Sequence, residues 1–147
     1  YRMLYKLLHE DTDKSLIERL LAARGVDDLP EDFLNPTFSR YRQSPSLLND
    51  IDKAIERIIT AINNKEKIMV FGDYDVDGVS SSYIMYTFFK RFLRYPHISI
   101  RLPHRLHDGY GIKTYHMDEI HAAGVSLVIT VDNGITAMQE ATYAKEI

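Results

Sequence analysis

Residues 68–78 read Ile-Met-Val-Phe-Gly-Asp-Tyr-Asp-Val-Asp-Gly, an apolar run followed by three alternating aspartates. The apolar part has the length and composition of a buried β-strand. Ionised carboxylates such as Asp73, Asp75 and Asp77 are rarely crowded together or buried without a partner. A divalent cation is such a partner, because it prefers hard oxygen ligands. This stretch therefore predicts a strand that leads directly into a metal-binding loop.

The segments that follow predict a doubly wound α/β domain with a mainly parallel sheet. The apolar and β-branched runs predict strands at 68–71, 98–102 and 127–131, and the longer runs between and after them predict helices at 79–93, 114–123 and 136–146. Strands that alternate with helices in this way form parallel sheets covered on both faces. The helix at 79–93 is rich in Tyr, Phe and Met, so we predict that it is mostly buried.

The first 64 residues predict a helical lead-in, and residues 65–147 the first part of the α/β domain. Apolar side chains recur at helical spacing in residues 4–8, 16–21 and 48–62. Gly25 is suited to close the second of these helices. Residues 26–46 contain three prolines and predict an irregular connection with short turns.

Composition excludes several classes of protein and leaves others open. The chain has 18 Lys and Arg residues against 21 Asp and Glu residues, a net charge of −3 that argues weakly against nucleic acid. It has no cysteine, which excludes thiolate metal sites. It shows neither an apolar run of the roughly 20 residues that span a bilayer nor a secretory leader, so we expect no membrane association and a cytoplasmic location. Because it starts without Met and stops within a predicted helix, we expect a piece of a longer protein.

Positive charge is concentrated in one segment, residues 90–107. Five Lys and Arg residues and three His residues lie there, without any Asp or Glu. A cationic helix end explains those near residue 90. The later ones, such as Arg101 and Arg105, suit an anionic substrate held partly by metal and partly by arginine.

Asp132 follows the third predicted strand in the sequence Thr-Val-Asp-Asn-Gly at residues 130–134. Ligands of doubly wound sheets bind outside the carboxyl ends of the strands, so we expect Asp132 to lie near Asp75 and Asp77. An aspartate before Asn-Gly is also common in turns and helix caps, which is the alternative for Asp132.

Three kinds of site begin with alternating aspartates. An EF-hand needs a bidentate Glu at its twelfth position, where this chain has Ile84. A haloacid-dehalogenase-type phosphatase would use Asp75 and Asp77 as nucleophile and acid, although residues 72–74 separate them from the strand. A two-metal phosphoesterase uses both aspartates together and also explains Asp132, so we favour it.

The motifs together resemble a known family. Residues 70–79 closely resemble the first motif of the DHH phosphoesterases, in the form found in RecJ-type single-stranded-DNA exonucleases. Residues 102–112 resemble the RecJ segment Pro-[Asn/His]-Arg-x-x-[Glu/Asp]-Gly-Tyr-Gly, and residues 130–135 are similar to the second acidic motif. The helical lead-in, with Leu-Ala-Ala-Arg-Gly-Val at 21–26, is also similar. The resemblance covers nearly the whole chain and implies an incomplete, Rossmann-like DHH domain.

The resemblance also implies roles for individual residues. Two Mn²⁺ or Mg²⁺ ions would be the cofactors. The metal ligands, also the catalytic residues, would be Asp75, Asp77 and Asp132, with Asp73 as a further carboxylate at the metals. The substrate-binding residues would be His104, Arg105, Tyr110 and Gly111.

The implied activity is 5′-to-3′ exonuclease action on single-stranded DNA in repair and recombination, with replication or repair proteins as candidate partners. Two features depart from the family pattern. Asn133 stands where many relatives have Cys, and these residues contain neither the Asp-His-His motif nor the smaller closing domain. We therefore expect little or no activity from this chain alone. Another DHH phosphoesterase acting on oligonucleotides or cyclic dinucleotides, the phosphatase, and a non-catalytic DHH-like scaffold remain alternatives.

Overall fold

The computed structural model describes residues 13–26 and 30–147. The chain divides into two units, Tyr1–Leu48 and Asn49–Ile147. The helix predicted over residues 4–8 lies outside the described ranges. The predicted boundary between the helical lead-in and the α/β domain, at residues 64 and 65, stays a prediction.

In the first unit, helix α1 (Leu16–Ala23) confirms the helix predicted from the apolar stripe. A capping box starts it: the Glu18 N–H donates to Ser15 Oγ, and the Ser15 N–H donates to the Glu18 carboxylate at 2.7 Å. Gly25 follows the helix with a φ of +67°, a left-handed conformation that favours glycine.

The connection after α1 is more regular than its prolines indicated. It contains α2 (Pro30–Leu34), α3 (Phe38–Tyr41) and a single 3₁₀ turn at Pro45–Leu47. Two of these elements begin at a proline, because the first position of a helix needs no N–H donor and suits the fixed φ of proline. The prediction of a mostly irregular connection with short turns therefore understated its helical content, since Pro30 and Pro45 each begin a short helical element.

The second unit is built on a parallel sheet of three strands, in the order β2-β1-β3. Its elements, in chain order, are α4 (Ile51–Asn63), β1 (Lys67–Phe71), α5 (Val76–Thr87), a π-helical turn (Phe88–Phe92), β2 (Ile98–Arg101), α6 (Thr114–Ala122), β3 (Val125–Thr130) and α7 (Met138–Glu146). In the register of the sheet, Phe71 is paired with Arg101 on one side and with Thr130 on the other. The carboxyl ends of all three strands therefore lie at one edge.

Side chains of β1 divide the apolar core into two layers. Ile68 and Val70 are fully buried in a cluster with Phe89 and residues of α4. Phe71 belongs to a second cluster, with Met117 and Ile120 of α6. Helices thus cover both faces of the sheet, as predicted for a doubly wound α/β fold.

The helix after β1 differs from its prediction in two ways. It begins at Val76 rather than at residue 79, and its apolar side chains are not mostly buried. Tyr83 is 59% exposed, Ile84 66% and Phe92 77%. Only one stripe of this segment, with Gly78, Ser82 and Phe89, is buried, so apolar composition overstated its burial.

In the described part of the chain, no helix has both the length and the apolar character needed to cross a bilayer.

Candidate metal centre

The loop between β1 and α5 carries the first three aspartates, and Asp73 is its buried member. Asp73 has no exposed surface. One carboxylate oxygen, Oδ1, accepts the N–H of Tyr74 at 2.7 Å. The other, Oδ2, is buried without a hydrogen-bond partner. A buried carboxylate oxygen is costly unless it is paired, so this atom is suited to pair with a cation or a hydrogen-bond donor.

Two glycines allow the start of α5 to pack against this loop. A Cβ on Gly78 would lie 2.4–2.6 Å from backbone atoms of Asp73. A Cβ on Gly72 would lie 2.0 Å from Oγ of the buried Ser82. Neither glycine has a positive φ, so what requires glycine here is close approach and not backbone conformation.

Asp75 is the N-cap of α5, because its Oδ1 accepts the N–H groups of Asp77 and Gly78 at 3.1 and 3.0 Å. The predicted start at residue 79 is three residues too late, and the capping role of Asp75 was not predicted. The cap fixes the carboxylate at the helix N-terminus while its second oxygen, Oδ2, is not used in the cap. Asp77 lies in the first turn of the same helix and is exposed.

Asp132 reaches the same place from β3. The N–H of Val131 donates to the carbonyl of Phe71 at 3.0 Å, which extends the pairing of β1 and β3 to the strand tips. Asp132 then adopts a left-handed φ of +56°. Desolvation of its carboxylate raises its pKa, and repulsion by Asp75 and Asp77 together with a hydrogen bond to Asp75 raises it further. The structure thus brings together aspartates from two neighbouring strand ends.

These donors fit a divalent cation in their chemistry. They are hard oxygen ligands, they repel one another, and one buried oxygen, Asp73 Oδ2, has no partner. Within residues 13–26 and 30–147, however, no three or more His, Asp or Glu side chains are arranged to hold a metal ion by themselves. The aspartates are therefore a partial ligand set, and their roles as ligands stay predictions.

The repulsion at Asp132 predicts an unusual response to mutation. Because folding raises the pKa of Asp132, the fold disfavours its ionised form, and stability falls as pH rises from about 4 through the raised pKa. We expect Asp132→Asn to melt at a higher temperature than the parent chain at pH 7 without divalent ions. Millimolar Mn²⁺ should remove this advantage, because a cation that binds the native carboxylates stabilises the parent more.

Thermal melts of both chains at pH 7 and pH 4, with and without Mn²⁺, check this expectation. A matched control is Asp52→Asn, which changes an exposed aspartate on α4. A variant that is less stable than the parent in the absence of metal would contradict the expected repulsion.

A second group of side chains borders the aspartates. The ring of Tyr110 meets the ring of Tyr74 edge to face, with 6.5 Å between centroids. The guanidinium carbon of Arg105 lies 4.8 Å above the Tyr74 ring. Desolvation of its hydroxyl raises the pKa of Tyr110, and the nearby charges of Asp73 and Asp132 raise it further. An exposed aromatic ring and a cation thus lie directly beside the acidic loop.

The same loop holds the other predicted substrate-binding residues. The ring of His104 stacks on His107 at 4.5 Å, and its Nδ1 accepts the N–H of Leu106 at 3.3 Å. Gly111 has a φ of +78° and follows the exposed Tyr110. Whether either residue contacts a substrate stays a prediction.

Asp108 lies three residues after Arg105, but the two side chains form no ion pair. Asp108 instead accepts the N–H of His104 at 2.6 Å and the hydroxyl proton of Tyr115 at 3.0 Å. These bonds, chiefly the one from His104, lower the pKa of Asp108 to about 2. Arg105 is left facing Tyr74.

Two residues of this region were missed from the sequence. Tyr74 has a signal in retrospect, because it lies between two of the loop aspartates and must share their edge of the sheet. His116 has none, since nothing in its neighbourhood distinguishes it from a surface residue of α6. It is fully buried, and its Nε2 lies 3.4 Å from Asp108.

The basic segment 90–107 is divided by the fold. Lys90 and Arg91 lie at the end of the helix that runs back from the acidic loop, and parallel strands place that end at the opposite edge of the sheet. Arg101 pairs with Glu119 at 2.5 Å. Lys90 and Arg91 therefore form the predicted cationic helix end. Of the two later arginines, Arg105 lies beside the acidic loop, whereas Arg101 is paired with Glu119.

Comparison with known proteins agrees with the motifs. Residues 67–147 match the model of the DHH family, N-terminal domain. The single-stranded-DNA-specific exonuclease RecJ of Bacillus subtilis is 36% identical over 134 residues, which are 90% of this chain and 17% of that protein. The RecJ of Escherichia coli is 33% identical over 132 residues, 90% of this chain and 22% of that protein. The chain thus spans about a fifth of the length of these curated relatives.

A solved structure agrees in fold as well. The crystal structure of exonuclease RecJ bound to manganese matches with a TM-score of 0.60 at 30% sequence identity, covering 68% of this chain and 25% of that chain. The resemblance found in the motifs is therefore confirmed over nearly the whole chain. This chain belongs to the DHH family, and residues 67–147 correspond to the N-terminal domain of that family.

Proposed function

We propose that this chain carries part of the metal centre of a RecJ-like nuclease that hydrolyses phosphodiester bonds in single-stranded DNA. The observation behind the proposal is the convergence of Asp75, Asp77 and Asp132 from two strand ends, with Asp73 beside them. Packing alone does not call for four carboxylates at one edge of a sheet, because like charges repel one another. A shared positive charge removes that penalty.

Two Mn²⁺ or Mg²⁺ ions are the proposed cofactors, held by Asp75, Asp77 and Asp132, with Asp73 as a further carboxylate. Such a pair of ions activates water and clamps the phosphate during in-line displacement. The aspartates would hold the ions at the carboxyl ends of β1 and β3. The cap of α5 orients Asp75, and the glycines at 72 and 78 allow the loop to close around Asp73. Further ligands would come from outside the described residues.

The neighbouring side chains suit a nucleic-acid strand. Arg105 is the proposed phosphate contact, because no carboxylate within the described part of the chain forms an ion pair with it. Tyr110 is exposed and offers a stacking surface for a base, with Tyr74 behind it. His104 and Gly111 are the other two proposed substrate-binding residues.

The substrate and polarity rest on the relatives. Two of them are named single-stranded-DNA-specific exonucleases, which supports DNA over cyclic dinucleotides or short oligonucleotides. We extend to this protein the 5′-to-3′ direction, a role in repair and recombination, replication or repair proteins as partners, and a cytoplasmic location. Membership of the DHH family leaves the haloacid-dehalogenase alternative without support.

The test uses the intact natural protein that contains these residues. With Mn²⁺ and a single-stranded oligonucleotide, we expect release of mononucleotides from the 5′ end, seen with 5′- and 3′-labelled strands, and little cleavage of blunt duplex. If the intact protein cleaves neither the 5′-labelled nor the 3′-labelled oligonucleotide with Mn²⁺ or Mg²⁺, the result would support the scaffold alternative and contradict the proposal.

The 147 residues alone should show little or no cleavage in the same assay. The reason is that they offer a partial ligand set and match only the N-terminal domain of the family. Cleavage by this chain at the rate of the intact protein would contradict the requirement for further ligands.

A further inference from the structure

His116 is a buried polar residue whose two ring nitrogens both face polar groups. It lies in the first turn of α6 with no exposed surface, and its ring is 5.1 Å from that of Phe71. A position of this kind normally holds an apolar side chain. A histidine here therefore needs an explanation from its contacts.

The contacts fix the protonation of the ring. Nδ1 accepts the N–H of Lys113 at 3.0 Å, so Nδ1 carries no proton. The proton of the neutral ring is then on Nε2, which faces Oδ2 of Asp108 at 3.4 Å. This distance is long for a hydrogen bond, and the contact is mainly electrostatic. Burial lowers the pKa of His116, which agrees with a neutral ring.

Asp108 connects His116 to the turn that carries Arg105. Its carboxylate accepts the N–H of His104, and the N–H of Asp108 donates to the carbonyl of His104 at 2.8 Å. These two bonds close the turn over residues 104–108. Arg105 is the second residue of that turn, and its guanidinium lies over the ring of Tyr74. In the sequence, Tyr74 stands between Asp73 and Asp75 of the acidic loop. A continuous set of contacts thus leads from His116 on α6, through Asp108 and its turn, to the Arg105 guanidinium beside the acidic loop.

We propose that Asp108 and His116 are positioning residues, which hold Arg105 at the place where it meets the DNA phosphate. This inference rests on the proposed function. Neither side chain borders the aspartates itself; both act through the turn that carries Arg105. Their loss should therefore affect the use of DNA and leave the binding of metal unchanged.

The test measures kcat/KM for single-stranded DNA, and the Mn²⁺ concentration that gives half-maximal rate, in the intact protein. Arg105→Ala should lower kcat/KM, and Asp108→Asn should lower it about tenfold, as expected for hydrogen bonds to a charged group. In the Arg105→Ala background, Asp108→Asn should have no further effect. The half-saturating Mn²⁺ concentration should stay the same in every variant.

Two substitutions of His116 separate its two contacts. In His116→Asn, Oδ1 can accept the Lys113 N–H, but the shorter side chain does not place its NH2 at the position of Nε2. The contact with Asp108 is therefore lost, and kcat/KM should fall, by at most the loss in Asp108→Asn. In His116→Gln the side-chain amide can donate to Asp108, so much of the loss should be restored. His121→Asn, an exposed histidine of the same helix, is the matched control and should change nothing.

An equal loss from Asp108→Asn with and without Arg105 would overturn the proposal, as would a higher Mn²⁺ requirement. If Asp108→Asn does not fold, Tyr115→Phe removes one bond to Asp108 from an exposed position. Tyr115→Phe should lower kcat/KM about threefold in the parent protein. In the Arg105→Ala background it should have no effect, and a loss that persists in that background would overturn the proposal. A parent protein that cleaves no DNA would instead contradict the proposed function, before any variant is made.

Discussion

Asp75→Asn in the intact protein should lower the rate of single-stranded-DNA cleavage roughly a hundredfold to a thousandfold. A metal ion supplies several kcal/mol of charge stabilisation in phosphoryl chemistry, and each 1.36 kcal/mol is a factor of ten in rate. The fold should survive the change, because Asn caps helices about as well as Asp, and the two N–H groups of α5 keep their acceptor. The substitution therefore isolates the charge from the cap.

The measurement is the initial rate over a range of Mn²⁺ concentrations, for the parent, Asp75→Asn and the control Asp52→Asn. The control removes the same charge from the exposed surface of α4 and should leave the rate unchanged. A parent-like rate for Asp75→Asn at low Mn²⁺ would show that this carboxylate does not hold the metal.

Gly78→Ala should destabilise the chain by about 3 kcal/mol, the upper part of the usual range for overpacking. Helix propensity alone gives the opposite expectation, because alanine is about 1 kcal/mol better than glycine inside a helix. The added Cβ would lie 2.4–2.6 Å from the Asp73 backbone, and neither backbone can move without separating α5 from the acidic loop. The steric effect should therefore decide the sign.

Urea or guanidinium unfolding of the 147-residue chain measures this difference directly. Ser80→Ala, on an exposed position of the same helix, is the matched control and should stay within about 0.5 kcal/mol of the parent. A more stable Gly78→Ala would mean that the helix and the loop are not packed as closely as described.

Sequence periodicity was sufficient for the elements that have a buried side. The strands predicted at 68–71 and 98–102 and the helix predicted to begin at residue 114 agree within one residue with β1 (Lys67–Phe71), β2 (Ile98–Arg101) and the start of α6 at Thr114. Because the rule on strand ends is topological, the sequence was also sufficient to predict that Asp132 lies near the first acidic loop.

The same periodicity could not show which apolar faces have a partner. The helix after β1 was expected to be mostly buried, yet Tyr83 and Ile84 are exposed, because burial depends on what packs against a helix and not on its composition alone. The predicted start of this helix was three residues late, because Asp75 was interpreted as a metal ligand and not also as a helix cap. A carboxylate at a helix start can do both.

Contacts between distant residues account for the rest. The pairing of Arg101 with Glu119 and the burial of His116 beside Asp108 depend on how α6 lies against the sheet. No local pattern at residue 116 separates this histidine from the exposed His121 of the same helix. Such residues become recognisable only when the turn at residues 104–108 and the first turn of α6 are seen together.

Mn²⁺ binding to the intact protein, followed by electron paramagnetic resonance, tests most directly whether two strand ends share the metal. We expect Asp75→Asn and Asp132→Asn each to weaken binding about tenfold or more, and the double variant to lose less than the product of the two, as for ligands of one site. If Asp132→Asn binds Mn²⁺ as tightly as the parent while Asp75→Asn does not, the carboxylate from β3 takes no part in the metal centre, and the account is contradicted.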